Sequence, residues 1–286
     1  MTLAAYAKVN FTLEVLGRRP DGYHNLRSIV VPISLADEVS LESADDVKLA
    51  IEPFGSLGSL EVEDNLAVRA ARLMQRISGL KDGVAIRLAK RIPVGGGLGG
   101  GSADAAAVLN GLNGLWGLGI PRSELALLGA EIGSDVPALV LGGPVLMEGR
   151  GERVSPFIVH APADTFHLVL ANPGVCCSTA EVFKVHKDPL PNRPEILYNI
   201  RLAMQAADGV AVARALQNDL AATAMRLHPE IDAARRRLEA AGCLGVSMSG
   251  SGATVFGIVR DATDAARIAR RLEAEGLWAV AVESVR

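Results

Sequence analysis

Between residues 95 and 101, six of seven positions are glycine: Gly95-Gly96-Gly97-Leu98-Gly99-Gly100-Gly101. Glycine loses more backbone freedom on ordering than any other residue, so such a run makes sense only where the chain needs positive φ or close contact. Pro93 and Val94 lead into it, and Ser102-Ala103-Asp104-Ala105-Ala106-Ala107, which favours helix strongly, follows at once. The apolar run Val84-Ala85-Ile86-Arg87-Leu88-Ala89 before it reads as a strand. Strand, glycine loop and helix start, with Ser102 as the expected cap, aim backbone N–H groups and the positive end of a helix dipole at an anion. The stretch reads as a phosphate cradle, the alternative being a hinge or a tight packing turn.

Two familiar phosphate loops fail the test. A P-loop needs Gly-Lys-Ser/Thr, and no lysine lies between Arg91 and Asp104. A dinucleotide fingerprint is formally present at Gly95, Gly97 and Gly100, but it wants an acidic residue about 20 positions on. That region reads Leu118-Gly119-Ile120-Pro121 and has none.

The 286 residues suffice for one large or two ordinary domains. A formal charge of −3 gives no electrostatic reason to expect a nucleic acid or an anionic membrane as partner. No signal peptide is evident at the N-terminus. The most apolar stretch, residues 125–147, is broken by Glu131, Asp135, Pro137 and Pro144, so no bilayer span is expected. Cys176 and Cys177 are adjacent, a poor geometry for a mutual disulfide, Cys243 stands alone, and the five histidines lack metal-ligand spacing. A cytoplasmic protein without a dedicated metal site is expected.

In chain order, Val9, Phe11, Leu13 and Val15 alternate with Lys8, Asn10, Thr12 and Glu14, the pattern of a half-buried strand. Lys8 and Asn10 then share a face, either simply its solvent side or a functional one. Pro20-Asp21-Gly22 is a turn signal, and Tyr23-His24 just past it either packs on the core or offers a ring and an imidazole to a planar ligand. Short strands are expected at 28–34, 38–43 and 47–52. A helix opens at Asp64-Asn65 and ends at Gly79, another runs from Ser102 to about Leu115, and a third from Pro121 to about Ile132. Asp135, amid Ile132, Val136, Ala138, Leu139 and Val140, is either a helix cap or a chemically active carboxylate, with Lys8 one possible partner.

After a weak boundary near 152–162 the pattern changes. A strand at 166–171 precedes a capping box, Ser178-Thr179-Ala180-Glu181, that opens a helix through Phe183. Helices near 193–206, 210–217 and from Pro229 to Gly242 follow. Then come strands at 245–248 and 253–259, a helix at 262–275 and a strand at 277–282. That order is a split βαβ, or ferredoxin-like, arrangement with extra helices. Ser249-Gly250-Ser251-Gly252 reads as a hairpin turn, or as a second small-residue loop that lets a ligand or the first glycine loop approach closely.

The lysine-bearing first strand, the Pro93–Ala103 loop and the late Ser-Gly-Ser-Gly-Ala together resemble the three motifs of the galactokinase, homoserine kinase, mevalonate kinase and phosphomevalonate kinase (GHMP) superfamily. Ala7-Lys8-Val9-Asn10, Asp21-Gly22-Tyr23-His24 and Gly133-Ser134-Asp135-Val136-Pro137 are similar to its branch that acts on a cytidine diphosphate conjugate of methylerythritol, in isoprenoid-precursor synthesis. The resemblance covers nearly the whole chain. It implies an α+β, two-domain fold: a β-rich ATP-binding catalytic domain at 1–157 and a ferredoxin-like, substrate-binding domain at 158–286. It further implies an ATP-dependent kinase, with magnesium accompanying ATP, that phosphorylates a hydroxyl of that small-molecule substrate. Lys8 and Asp135 match the catalytic pair. Asn65 and the loop residues Pro93, Val94, Gly95, Gly96, Gly97, Leu98, Gly99, Gly100, Gly101, Ser102 and Ala103 match the ATP site. Asn10, Tyr23, His24, Thr179 and Phe183 match substrate contacts. Asp104 stays open between a magnesium contact and a plain place in the first helical turn. A homoserine- or mevalonate-type kinase, or a non-catalytic nucleotide-binding regulator of the same fold, are the alternatives; Tyr23 and His24 argue against the first, and Lys8 with Asp135 against the second.

Overall fold

The alternating first strand belongs to a long antiparallel ribbon made of β1 (Thr2–Arg18) and β2 (His24–Ala44). The structure is a computed structural model that describes residues 1–52, 64–157, 165–186 and 193–285. Of the boundary expected near 152–162, residues 158–162 lie outside them. The Pro20-Asp21-Gly22 turn joins the two strands, with Gly22 at φ +86°. Where two strands were expected at 28–34 and 38–43, β2 runs through unbroken, because its residues pair first with the end and then with the start of β1. The ribbon is bulged between Tyr6 and Lys8 and again between Asn10 and Thr12. Bulges re-aim side chains, and these two bracket Lys8 and Asn10.

β3 (Lys48–Glu52), α1 (Leu66–Ser78), β4 (Gly83–Ala89), α2 (Gly100–Leu115), α3 (Arg122–Gly129), α4 (Val136–Leu141), β5 (Val145–Gly149) and β6 (Arg153–Pro156) complete the first half. The second half holds β7 (His167–Asn172), α5 (Thr179–Val185), α6 (Pro194–Gln205), α7 (Gly209–Ala215) and β8 (Gln217–Asn218), then α8 (Ala221–Leu227), α9 (Pro229–Ala240), β9 (Gly245–Met248), β10 (Val255–Val259), α10 (Ala262–Ala274) and β11 (Trp278–Glu283). The first sheet has the order β3-β4-β2-β1-β8, with β5 on β2 and β6 on β5. The second has the order β11-β7-β10-β9, antiparallel throughout, which is the split βαβ arrangement expected from the sequence.

β1 departs from the half-buried reading. Val9, Phe11, Leu13 and Val15 are buried, but so are Lys8, Asn10, Thr12 and Glu14 on the other face. The polar face is covered and fully bonded: Glu14 takes both nitrogens of an Arg27 fork at 2.9 Å, and Thr12 Oγ1 accepts the Ile29 N–H at 3.1 Å. A two-stranded parallel contact, Thr12–Leu13 against Gln217–Asn218, brings the second half of the chain onto β1. It also ends the helix expected at 210–217 two residues early. Phe11 sits between Phe166 (5.8 Å, edge-on) and Phe256 (6.1 Å, stacked), so the core passes from one sheet to the other. A fully buried ring of this kind contributes about 1.5–3 kcal/mol.

Asn65 caps α1 by accepting the Ala67 N–H at 2.9 Å, and Gly79 at φ +69° ends it, as the sequence predicts. α1 turns Ala67, Ala70, Ala71 and Met74 toward the alanine-rich α2, and the small side chains let the two helices approach closely. The start of α2 corrects one expectation. Its cap is Gly99 in the left-handed region, with no side-chain cap bond, and Ser102 lies within the first turn. A backbone cap leaves the N–H groups at the mouth of the helix unclaimed by any side chain.

Candidate active site

The glycine loop lies between the halves, and each glycine that matters has a physical reason. Gly95, Gly97 and Gly99 all have φ near +70°. A methyl on Gly97 would overlap the Ser249 carbonyl oxygen, and one on Gly96 would meet Thr254 Oγ1 at 2.8 Å and Asn172 Nδ2 at 2.9 Å. The loop is pinned from three directions. The Lys8 N–H donates to the Leu98 carbonyl at 3.0 Å, the Thr254 N–H to the Gly96 carbonyl at 3.1 Å, and Ser249 Oγ to the Gly97 carbonyl at 2.8 Å. Ser249–Gly252 is thus both the hairpin turn between β9 and β10 and the close neighbour of the first loop. Asn218 holds this turn, donating from Nδ2 to the carbonyls of Met248 (2.7 Å) and Gly250 (2.9 Å).

Lys8 and Asp135 meet at the end of the loop. Lys8 Nζ lies 3.5 Å from Asp135 Oδ2 and donates to Asn10 Oδ1 at 2.7 Å; its side chain is 3% exposed and that of Asp135 27%. A methyl on Gly99 would touch Lys8 Cγ at 3.2 Å and Asp135 Oδ2 at 3.5 Å, so the pair sits against the loop. Asp135 occupies the cap position of α4, yet its side chain makes no capping bond. Its carboxylate therefore faces the lysine and the cleft. Asn10 Oδ1 accepts from Lys8 and from the Gly250 N–H (2.8 Å), while its Nδ2 donates to Ser28 Oγ at 2.8 Å. The lysine, buried and held at a fixed angle, supplies a localised positive charge beside an open carboxylate.

A cleft of about 1310 Å³ runs from Asn65 and the loop, past this pair, to the turn after β1 and to α5. A single small ligand typically occupies about 300–1,000 Å³, so there is room for two. Lys8, Asn10, Tyr23, His24, Asn65, Asp135, Thr179, Phe183 and every loop residue from Pro93 to Ser102 line it. Ala103 does not: its side chain is in the core and its N–H donates to the Gly99 carbonyl at 2.8 Å. At the far end His24 stacks on Phe183 (5.2 Å between centroids, 27°), and the Arg150 guanidinium lies 5.1 Å from the Tyr23 ring, which is 57% exposed. Burial, with the charges of Arg18 and His186 adding to it, holds the His24 imidazole below its ordinary pKa. A neutral imidazole there can accept as well as donate a hydrogen bond. Thr179 Oγ1 is 2.8 Å from Ser251 Oγ, which ties α5 to the second small-residue turn.

Arg18, Arg150, Lys184 and His186 also line the cleft and were not singled out from the sequence. Isolated basic residues in turns and at a helix end carry no periodic signal. Cys177 is buried with its thiol donating to the Ser251 carbonyl at 3.0 Å, whereas Cys176 is exposed beside Gly95; all three cysteines are free. Among the described residues no group of three or more His, Cys, Asp or Glu side chains could hold a metal ion, and no helix is long and apolar enough to cross a membrane.

Known proteins resemble the chain over nearly its whole length. The family model for the N-terminal domain of GHMP kinases matches residues 65–143, and that for the GHMP kinase C-terminal region matches 200–276. The chain is 43% identical over 275 residues to the 4-diphosphocytidyl-2-C-methyl-D-erythritol kinase of Symbiobacterium thermophilum, covering 95% of each chain. A crystal structure of 4-(cytidine 5'-diphospho)-2C-methyl-D-erythritol kinase superposes with a TM-score of 0.83 at 36% identity over all of both chains. A homoserine kinase from Cytophaga hutchinsonii shares the fold, with a TM-score of 0.77 at 20% identity over 99% of this chain and 93% of its own. The kinase fold and ATP use expected from the three motifs thus stand, and the chain belongs to the 4-diphosphocytidyl-2-C-methyl-D-erythritol kinase family of the GHMP kinases.

Proposed function

We propose that this chain transfers the γ-phosphoryl group of ATP to a hydroxyl on the methylerythritol part of a cytidine diphosphate conjugate, with the two ligands meeting at Lys8 and Asp135. The observation that carries this reading is the Lys8–Asp135 pair, 3.5 Å apart against Gly99, between a loop of backbone amides and a pocket of rings. Phosphates lie along the loop residues from Pro93 and over the start of α2, where unclaimed N–H groups and the helix dipole favour negative charge. Asn65 lies at the adenosine end. At the other end Tyr23 stacks on the cytosine and His24, steadied by Phe183, hydrogen-bonds its edge, while Asn10 and Thr179 face the linking chain.

In the transfer step Asp135 orients the acceptor hydroxyl and takes its proton. The ammonium of Lys8 keeps that carboxylate ionised and offsets charge on the moving phosphoryl group. A loose phosphoryl-transfer transition state demands little proton removal, so orientation and charge compensation are the larger contributions. Magnesium travels with the triphosphate: a metal of this kind is held mainly by phosphate oxygens and one or two carboxylates rather than by a protein cage. Asp135 and Asp104 are carboxylates beside the loop that line the cleft and would fit that need. The division of labour, with residues 1–157 carrying ATP and 158–286 contributing to the substrate side, is part of the same proposal, as is a cytoplasmic setting with ATP and reduced thiols.

Transfer of labelled phosphate from ATP to the cytidine conjugate, with mevalonate and homoserine in parallel, tests the reading. Labelling of the cytidine conjugate alone is expected. Labelling of mevalonate or homoserine instead, or of none of the three, would sink it.

A further inference from the structure

Beneath the glycine loop lies a buried charged cluster, two of whose members, Lys90 and Asp104, also reach the wall of the cleft. Lys90, just past β4, donates from Nζ to Asp104 Oδ2 at 2.5 Å and to Asp37 Oδ2. Asp37 and Asp104 are 1% and 2% exposed and Lys90 8%. Asp37 is fully engaged, since its Oδ1 also accepts the backbone N–H groups of Arg91 (2.5 Å) and Ile92 (2.9 Å). Asp104 Oδ1, by contrast, is sealed from solvent without a partner among the described residues. Asp104 itself lines the cleft, with its Oδ2 held by Lys90.

The three side chains come from three elements, and two of those flank the loop. Lys90, Arg91 and Ile92 are the last residues before Pro93, where the loop begins. Asp104 is on α2, where the loop ends, and Asp37 is fixed within β2. A methyl on Gly100 would meet Ile92 Cγ2 at 3.0 Å and Asp37 Oδ2 at 3.7 Å, so the cluster bears directly on the loop's underside. We infer that Asp37, Lys90 and Asp104 form a buried clamp that sets the separation of the loop's two ends and thereby presents its amides to the phosphates of ATP. Asp37 is its pivot, because it alone bonds both the backbone entering the loop and the lysine that reaches the helix leaving it. Asp37 does not line the cleft, so any effect it has on ATP passes through the loop backbone or through Lys90 and Asp104, and loop exchange separates the two routes. It is a positioning residue.

A salt bridge placed only for stability would influence both ligands and the melting temperature together. A clamp acts on one end of the cleft. Asp37→Ala leaves Lys90 paired with Asp104, so no charge is stranded, but it frees the Arg91 and Ile92 N–H groups. The amides of residues 95–101 should then exchange hydrogen roughly tenfold faster in the free protein. Binding of a non-hydrolysable ATP analogue should weaken by roughly tenfold, with affinity for the cytidine conjugate within about twofold of the parent. Asp37→Asn, which keeps an acceptor for both N–H groups, should recover most of the loss. Unchanged loop exchange in Asp37→Ala, or equal loss of both ligands, overturns the clamp. Should Asp37→Ala not fold, Asp37→Asn decides through a smaller change of the same sign in loop exchange, and no change overturns the clamp. The inference rests on the loop being the ATP site. If the parent protein does not bind the ATP analogue, that reading fails, while hydrogen exchange still decides the clamp.

Discussion

The two ends of the cleft are built from different materials. The loop end is backbone: positive-φ glycines, amides and a helix mouth, pinned by Lys8, Ser249 and Thr254 and propped from below by Asp37 and Lys90. The other end is side chain: Tyr23 more than half exposed on a turn, His24 on Phe183, and Arg150 over the tyrosine ring. In the proposed arrangement a polyanion common to many enzymes is met by groups that every residue carries, so its site can be rigid. In the same proposed arrangement a distinctive base is met by rings and an imidazole that only particular residues supply. Rigidity and selectivity are thus placed at opposite ends, with Lys8 and Asp135 where they meet.

The contrast breaks most sharply at Gly97. Gly97→Ala puts a methyl on a residue at φ +73° and drives it into the Ser249 carbonyl. Saturable binding of the ATP analogue should disappear, while a protein that still folds keeps its affinity for the cytidine conjugate. Retained ATP binding would mean that the loop is not the rigid end. Tyr23→Ala tests the opposite end. With little packing lost from an exposed ring, KM for the cytidine conjugate should rise about tenfold, as expected for one base–aromatic stack, with KM for ATP unchanged. An unchanged KM for the cytidine conjugate would remove Tyr23 from the pocket.

The smallest effect concerns pH. Burial, with Asp37 adding to it and Lys90 opposing it, raises Asp104 from 3.8 to about 7. The folded protein therefore holds a proton that the unfolded chain has released across that interval. This contribution is fully present below about pH 3.8 and is lost as pH rises through about 7. The melting temperature of Asp104→Asn should lack that decline, so the difference between variant and parent should grow in the variant's favour from pH 4 to 7. Parallel profiles would show that Asp104 does not titrate there.

What the sequence made legible was whatever is local. The glycine loop, the Asn65 and Gly79 boundaries, the Pro-Asp-Gly turn and the split βαβ order all have short-range physical causes. Lys8 and Asp135 can each be noticed, but neither spacing nor pattern joins residues 127 positions apart; charge makes Lys8 one possible partner, and the resemblance singles it out. Alternation along β1 reports two faces and not what covers the second; here the cover comes from the ribbon, the glycine loop and the Ser249 turn. Serine's preference for the cap position points to Ser102, whereas the loop needs Gly99's left-handed backbone in that place. Asp37 gave no signal at all: an aspartate beside a strand normally reads as a solvent-facing end.

The meeting point of the two ends is tested most directly by Asp135→Asn, followed by single-turnover phosphoryl transfer and by binding of the ATP analogue to the same protein. The variant keeps the shape of the side chain and loses its charge and basicity. The transfer rate should fall by roughly a hundredfold or more, with the affinity for the analogue within about twofold of the parent. Equal losses in transfer and in binding would make Asp135 a structural residue and contradict the assignment of the chemistry to the Lys8–Asp135 pair.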